Sequence, residues 1–270
     1  MHKSIFITGA ASGIGLATAK LFHQEGWFVG CHDIDIQALD ELEKNLVDRC
    51  HTAYLDVRNK ENVDACMAEF AKYTNGHLDV MFNNAGVTAG GFFDEMPFDK
   101  IEDIVNINFL GVLHGTYAAI PLLKKTENSL CFTTSSSAAI YSAPGMAAYC
   151  ATKFAVKGFT QSMSVELARH GVRVSDVMPG IIDTPLWKSN RYVAGEAVST
   201  YAKMPARNAN RTDAIRTIAP SNVAAAVWEA YHGDRVHWYV PPELEENTKN
   251  TLSDEKRRDQ AVFGTKKCLL

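Results

Sequence analysis

The sequence predicts an α/β fold, a parallel sheet of about seven strands doubly wound by helices on both faces. Three observations carry that expectation. Short apolar runs recur along the 270 residues and alternate with longer stretches of helical period. The first run opens directly into a glycine-rich turn and then a helix. With 270 residues, 46% of them hydrophobic and 21% charged, the chain can bury one large core.

Residues 4–8, Ser4-Ile5-Phe6-Ile7-Thr8, form the first strand, and a helix follows from Leu16 to Glu25. Between them lies Gly9-Ala10-Ala11-Ser12-Gly13-Ile14-Gly15. Glycines let a backbone approach a pyrophosphate, and the helix start offers N–H donors and a favourable dipole. The spacing is G-x-x-x-G-x-G, which differs from the commoner G-x-G-x-x-G of dinucleotide sites. Trp27 to His32 is the second strand, with Asp33 at its end. A carboxylate there can accept the ribose hydroxyls of an adenosine and would repel a 2′-phosphate. No Lys or Arg lies in 9–15 or just after Asp33, so NAD is favoured over NADP. The competing reading is that Asp33 caps the next helix, as Asp35 could.

Helices are expected over 36–49 and 60–74, strands over 51–55 and 78–82, and Asp56-Val57 and Asn83-Asn84-Ala85-Gly86 close the two strands. Residues 99–125 read as one helix, in which Asn108 is an unusual buried amide or bonds back to its own backbone. A fifth strand at 129–135 feeds the loop bearing Ser136, and a long helix follows over 149–170. The sixth strand, 172–177, ends at Met178-Pro179-Gly180-Ile181-Ile182-Asp183-Thr184. Residues 185–219 lack a clean period and read as a partly helical lid. A helix with a Ser221 cap and a last strand at 236–240 complete one domain over 1–242, and 243–270 is a charged tail.

Tyr149 and Lys153 lie one helical turn apart, so they share a face. A free tyrosine titrates at roughly 10 and is a poor base near neutrality, and a neighbouring cation pulls that value down. Taken alone, the pair could equally be an ordinary solvated turn.

The ordered set Thr8-Gly9-x-x-x-Gly13-Ile14-Gly15, Asn83-Asn84-Ala85-Gly86, Asn108, Ser136, Tyr149-x-x-x-Lys153 and Pro179-Gly180 resembles the short-chain dehydrogenase/reductases in their ordinary single-domain branch. The likeness runs from about residue 4 to about residue 240 and implies a Rossmann-type fold. Ser175-Asp176-Val177 is a local departure from the family's pattern. The resemblance implies that Tyr149 exchanges a proton with substrate, Lys153 lowers its pKa and holds the nicotinamide ribose, Ser136 orients the substrate oxygen, and Asn108 holds a relay water. The spacing of thirteen residues before Tyr149 selects Ser136 over Ser135 and Ser137. It also implies cofactor contacts at Gly9, Ser12, Gly13, Ile14, Gly15, Asp33, Asp56, Val57, Asn83, Ala85, Gly86, Pro179, Gly180, Ile182 and Thr184. Asp56 and Val57 would meet the adenine, Asn83 the adenosine side, and Ile182 and Thr184 the carboxamide.

The expected activity is hydride transfer between NAD and a secondary alcohol or ketone. Phe92, Phe93, Tyr141, Met146, Trp187, Tyr192 and Met204 suggest a hydrophobic substrate, unless they pack the core. Lys188, Arg191, Lys203, Arg207, Arg211 and Arg216, set against Glu196 and Asp213, suit an anion or a solvated face. The second class of function is an idle NAD-binding sensor, which would be expected to lose Ser136, Tyr149 or Lys153. Family members pair as homodimers or homotetramers through the two long helices, where Gly111, Gly115, Ala151, Ala155 and Gly158 would permit close packing.

The net charge of −4 argues against a nucleic-acid partner, and no apolar stretch is long enough to span a bilayer. Cysteines at 31, 50, 66, 131, 150 and 268 form no CxxC pair and read as buried thiols of a cytoplasmic protein. The apolar run starting at residue 5 leaves no room for a signal peptide, and Cys268 is third from the end, where prenylation needs the fourth. No metal is expected.

Overall fold

The computed structural model describes residues 2–198 and 216–249. Seven parallel strands form the central sheet in the order β3-β2-β1-β4-β5-β6-β11. They are β1 (Ser4–Thr8), β2 (Phe28–Asp33), β3 (Cys50–Tyr54), β4 (Val80–Asn83), β5 (Leu130–Thr134), β6 (Arg173–Pro179) and β11 (His237–Val240). The order reverses between β1 and β4: the chain runs outward through β2 and β3, then returns to pair β4 with β1. A crevice opens at such a reversal, above the C-terminal ends of the strands.

Each central strand is buried on both sides, as strands covered by helices on two faces must be. Alternation sorts their side chains. Ile5 and Ile7 join Val29, Phe82 and Phe132 on one face, against Phe22 of α1 (Gly13–Gln24), Leu39 of α2 (Ile36–Asn45) and Tyr231 of α7 (Pro220–His232). Phe6 joins Met81, Cys131 and Val174 on the other, against Phe70 of α3 (Lys60–Tyr73) and Leu123 of α5 (Gly111–Leu123). The active-site helix α6 (Ala147–Glu166) packs over β6.

Several boundaries differ from the sequence expectation for physical reasons. The helix expected over 99–125 is broken into α4 (Phe98–Val105) and α5 by a π-helical turn, Asn106–Leu110. That turn swings Asn108 inward, where it is fully buried. The second helix is capped by Asp35, whose Oδ1 accepts from the Ala38 N–H at 3.1 Å. Helix α7 opens on Pro220 with no side-chain cap, so Ser221 does not cap it. The region expected to be a partly helical lid holds a 3₁₀ turn (Pro185–Lys188), an antiparallel hairpin of β8 (Arg191–Val193) and β9 (Glu196–Val198), and β10 (Thr217–Ile218) paired with β7 (Ile181–Ile182). Lys203, Met204, Arg207, Arg211 and Asp213 lie outside the described residues, as do tail residues 250–270 with Cys268. The tail begins as α8 (Leu244–Lys249), which buries Leu244.

Among the described residues no helix is long and apolar enough to cross a membrane, no metal-ligand cluster occurs, and Cys31, Cys50, Cys66, Cys131 and Cys150 form no disulfide. Gly111 and Gly115 face inward: a Cβ would come within 2.7 Å of Val57 at the first and 2.2 Å of Asn83 Oδ1 at the second. They serve packing within the chain. Ala151, Phe154 and Gly158 are exposed on α6 and do form an outward stripe.

His32 of β2 is fully buried and stacked on Phe6 at 3.8 Å between centroids. Burial, with His51 nearby, pushes its pKa down to about 3. Between about 3 and 6.5 the unfolded chain therefore binds the proton that the folded chain refuses, and stability falls as pH falls through that window. His32→Phe should flatten the acid limb by up to about 1.4 kcal/mol per pH unit, read by chemical denaturation from pH 7 to 4.

Candidate functional site

The cleft forms where two backbones meet at the β1/β4 reversal. Thr8 Oγ1 accepts from the N–H groups of Asn84 and Ala85, both at 3.0 Å. Asn84 Nδ2 returns bonds to the carbonyls of Thr8 (3.1 Å) and Gly9 (3.2 Å), and Asn84 Oδ1 accepts from Thr134. The turn of Gly9 needs its residue type: φ is +69°, and a Cβ would lie 2.9 Å from Ala85 Cα. The resulting cleft has a volume of about 370 Å³.

One end of the cleft is built for an anion and a diol. Ser12, at the N-cap of α1, makes no side-chain cap bond, so the first-turn N–H donors are left to face the cleft. Asp33 does not cap the next helix. Its carboxylate accepts from Ala11 N at 3.0 Å and Asp35 N at 3.1 Å, which fixes it beside the glycine turn with lone pairs remaining.

At the other end stand Tyr149 and Lys153, both buried. Lys153 Nζ donates to the Thr134 carbonyl at 2.9 Å and lies 5.5 Å from the centre of the Tyr149 ring. Ser136 is buried beside them, accepts from Ala138 N at 3.1 Å and is hydrogen-bonded to Tyr149. Ser135 instead donates to the Lys153 carbonyl at 3.2 Å, so the thirteen-residue spacing selected the serine that meets the phenol. The expected downward pull on Tyr149 does not prevail. Burial pushes the phenol up to about 12, against an opposing bond with Ser136. Burial also brings Lys153 down to about 8. The ammonium spends a donor on Thr134 and has no carboxylate partner here.

The comparisons bear on this arrangement. The sequence profile of the short chain dehydrogenases matches residues 3–193. This chain belongs to the short-chain dehydrogenase family. It is 37% identical over 188 residues to a 3-oxoacyl-[acyl-carrier-protein] reductase of Thermotoga maritima, covering 68% of this chain and 76% of that one. It is 34% identical over 235 residues to momilactone A synthase of Oryza sativa subsp. japonica, covering 84% and 83%. A short-chain dehydrogenase/reductase from Burkholderia phymatum, solved in complex with NAD, superposes with a TM-score of 0.79 at 30% identity, covering 92% of each chain. The 3-ketoacyl-(acyl-carrier-protein) reductase of Brucella melitensis, complexed with NADH, gives 0.76 at 26%, covering 88% and 96%.

Of the site residues expected for a short-chain dehydrogenase, Gly9, Ser12, Gly13, Ile14, Asp33, Asp56, Val57, Ala85, Gly86, Tyr149, Lys153 and Thr184 line the cleft. Others sit behind it. Gly15 packs so closely on the turn that a Cβ would meet the Gly9 carbonyl at 2.1 Å. Asn83 points away: its Nδ2 donates to Thr116 at 3.0 Å under α5, and Asn84 takes the lining position instead. The reason is the strand's alternation, which sends successive side chains to opposite faces. Ile182 is buried in the core, and Pro179 and Gly180 tie β6 to β11, with Gly180 N donating to Val240 O at 2.7 Å. Asn108 bonds the Val87 backbone in both directions, from Val87 N at 2.8 Å and to Val87 O at 2.9 Å, so its amide anchors the β4 loop rather than its own helix.

The expected substrate wall is divided. Tyr192 is buried in one cluster with Tyr149, with Met146 packed against it, and Tyr141 packs beside Ile140 and Leu244. Phe92 and Phe93 are exposed. Arg216 pairs with Glu243 at 3.1 Å. Ile34, Arg58, Ile107, Pro185 and Leu186 also line the cleft and were not singled out from sequence. Arg58 had one signal, its place directly after Asp56-Val57.

Folded Lys153 releases its proton near 8, against 10.5 for the ordinary group, so the unfolded chain holds more protons in between. This contribution to stability rises with pH from about 8 to 10. Lys153→Met should remove a rise of at most about 1.4 kcal/mol per pH unit, read by denaturation of the ligand-free protein at pH 7.5 and 9.5.

Proposed function

We propose that this chain is an NAD-dependent oxidoreductase acting on a secondary alcohol or ketone, with Tyr149 as its acid/base. The observation that carries the reading is one continuous cleft: Asp33 and uncapped helix donors stand at one end, Tyr149 and Lys153 at the other, with Ser136 bonded to the phenol behind them. The nicotinamide ring, when bound, supplies or takes up the hydride. Gly9, Ser12, Gly13 and Ile14 would hold the pyrophosphate, Asp33 the adenosine ribose, Lys153 the nicotinamide ribose, and Thr184 the carboxamide.

Tyr149 gives its proton to a carbonyl oxygen in one direction and takes one from a hydroxyl in the other. A phenol held up near 12 is fully protonated at neutral pH, the form suited to reduction. Ser136 orients the substrate oxygen and stabilises charge developing there. Lys153, titrating at about 8, is still mostly cationic at neutral pH and favours the phenolate left behind. Asn108 fixes the loop of Gly86 and Val87 next to this group.

The apolar cluster of Tyr192, Ala148 and Ala89 around Tyr149 supports a hydrophobic substrate. The name of the Thermotoga relative, a 3-oxoacyl reductase, supports carbonyl reduction as the reaction class. Asp33 supports NAD over NADP. A homodimer or homotetramer in the cytoplasm completes the proposal, supported by exposed Tyr117, Phe154 and Val165 on α5 and α6.

Tyr149→Phe should lower turnover by at least 100-fold, the scale of a lost general acid, with NAD affinity nearly unchanged. Absorbance at the NADH band with a panel of secondary alcohols and ketones reads the first, calorimetry the second. Surviving activity would remove Tyr149 from the proton transfer. Asp33→Ala should narrow the preference for NAD over NADP by roughly tenfold or more, the worth of one charge-assisted bond pair. An unchanged ratio of kcat/KM values would refute the ribose assignment.

A further inference from the structure

Arg58 lines the Asp33 end of the cleft, and nothing in the glycine turn or the family motifs gives it a task. Its guanidinium is held from two elements. Nε donates to both Asp56 oxygens at 3.0 and 3.1 Å, and Nη2 to Asp56 Oδ2 at 2.8 Å. Nη1 reaches across to Asp103 Oδ1 of α4 at 3.1 Å. Asp56 Oδ1 also accepts the Arg58 backbone N–H at 3.0 Å.

Two consequences follow from this geometry. The Asp56 carboxylate has about four lone-pair directions, and Arg58 alone directs four N–H contacts at it. It has little left with which to recognise a base directly. The guanidinium is a rigid planar fork, so bonds at its edges leave a flat face to offer the cleft. Two carboxylates already offset its charge, which disfavours its holding a further anion. A flat, edge-anchored cation suits the π-face of a purine.

We infer that Arg58 is the platform on which the adenine of the dinucleotide rests, and that Asp56 and Asp103 are positioning residues that hold it flat. This rests on the dinucleotide reading of the cleft. Arg58 then separates two roles that Asp56 was expected to fill alone: the carboxylate sets the plane, and the guanidinium meets the base.

Calorimetric titration of the full chain with NAD, ADP and NADP tests it, using wild type, Arg58→Ala, Arg58→Lys and Asp103→Asn, with ligand-free melting to confirm the fold of each. Arg58→Ala should weaken NAD and ADP alike by about five- to thirty-fold, the range of a base-stacking contact. Arg58→Lys, which keeps the charge and loses the plane, should be nearly as weak. Asp103→Asn should show a smaller loss in the same two ligands. Tight NAD binding by Arg58→Ala, restoration by lysine, or a loss confined to NADP would each overturn the assignment. Wild type that binds neither NAD nor ADP would refute the reading of the cleft and this inference with it, whereas wild-type binding with an indifferent Arg58→Ala refutes only the inference.

Discussion

The site depends on one close approach of two backbones. The glycine turn after β1 and the loop after β4 touch, with the Thr8 hydroxyl accepting two N–H bonds from the second and the Asn84 amide returning two to carbonyls of the first. Neither backbone tolerates added bulk. A Cβ at Gly9 or Gly15 would fall 2.9 Å from Ala85 Cα or 2.1 Å from the Gly9 carbonyl. The seam sits at the reversal of strand order, which is where a parallel sheet leaves room for a ligand. Because Asn84 also accepts from Thr134, and Thr134 holds Lys153, the same seam carries through to the catalytic helix.

Burial governs the chemistry at the far end of the cleft. Tyr149 and Lys153 are both withdrawn from water, and desolvation disfavours the charged form of each: the phenol rises and the ammonium falls. These shifts narrow the gap between an acid and a base that start close together, so the proton balance of the pair becomes sensitive to any further charge. A cationic ring entering the cleft would tip that balance toward phenolate, while a neutral ring would leave the phenol protonated. The π-helical turn at Asn106–Leu110 contributes by geometry alone. Its extra residue per turn brings Asn108 to the Val87 backbone, and so stiffens the loop beside Lys153.

The expected function of Asp56 illustrates how a motif can be right in place and incomplete in role. The residue does line the cleft, yet its oxygens are occupied by the neighbouring arginine. Asn83 is the reverse case. It stands in the right motif and turns its amide beneath the sheet, leaving the cleft to Asn84. Gly111 and Gly115 likewise have small size for a reason internal to the chain, the close packing of α5 on Val57 and Asn83.

The sequence by itself determined the α/β alternation, the glycine turn, the acidic end of β2 and the Ser136, Tyr149 and Lys153 set, because each depends on local periodicity, turn chemistry or spacing along the chain. It could not determine which way Asn83 and Asn108 face, where the helix over 99–125 breaks, or that a hairpin fills part of 185–219. Those outcomes depend on partners far away in sequence: Thr116 for Asn83, Val87 for Asn108, and the Gly90 and Gly145 backbones that meet the hairpin and its loop. The upward shift of Tyr149 was also decided only in three dimensions. Spacing places a lysine next to a tyrosine, but the degree of burial of both sets the sign of the shift.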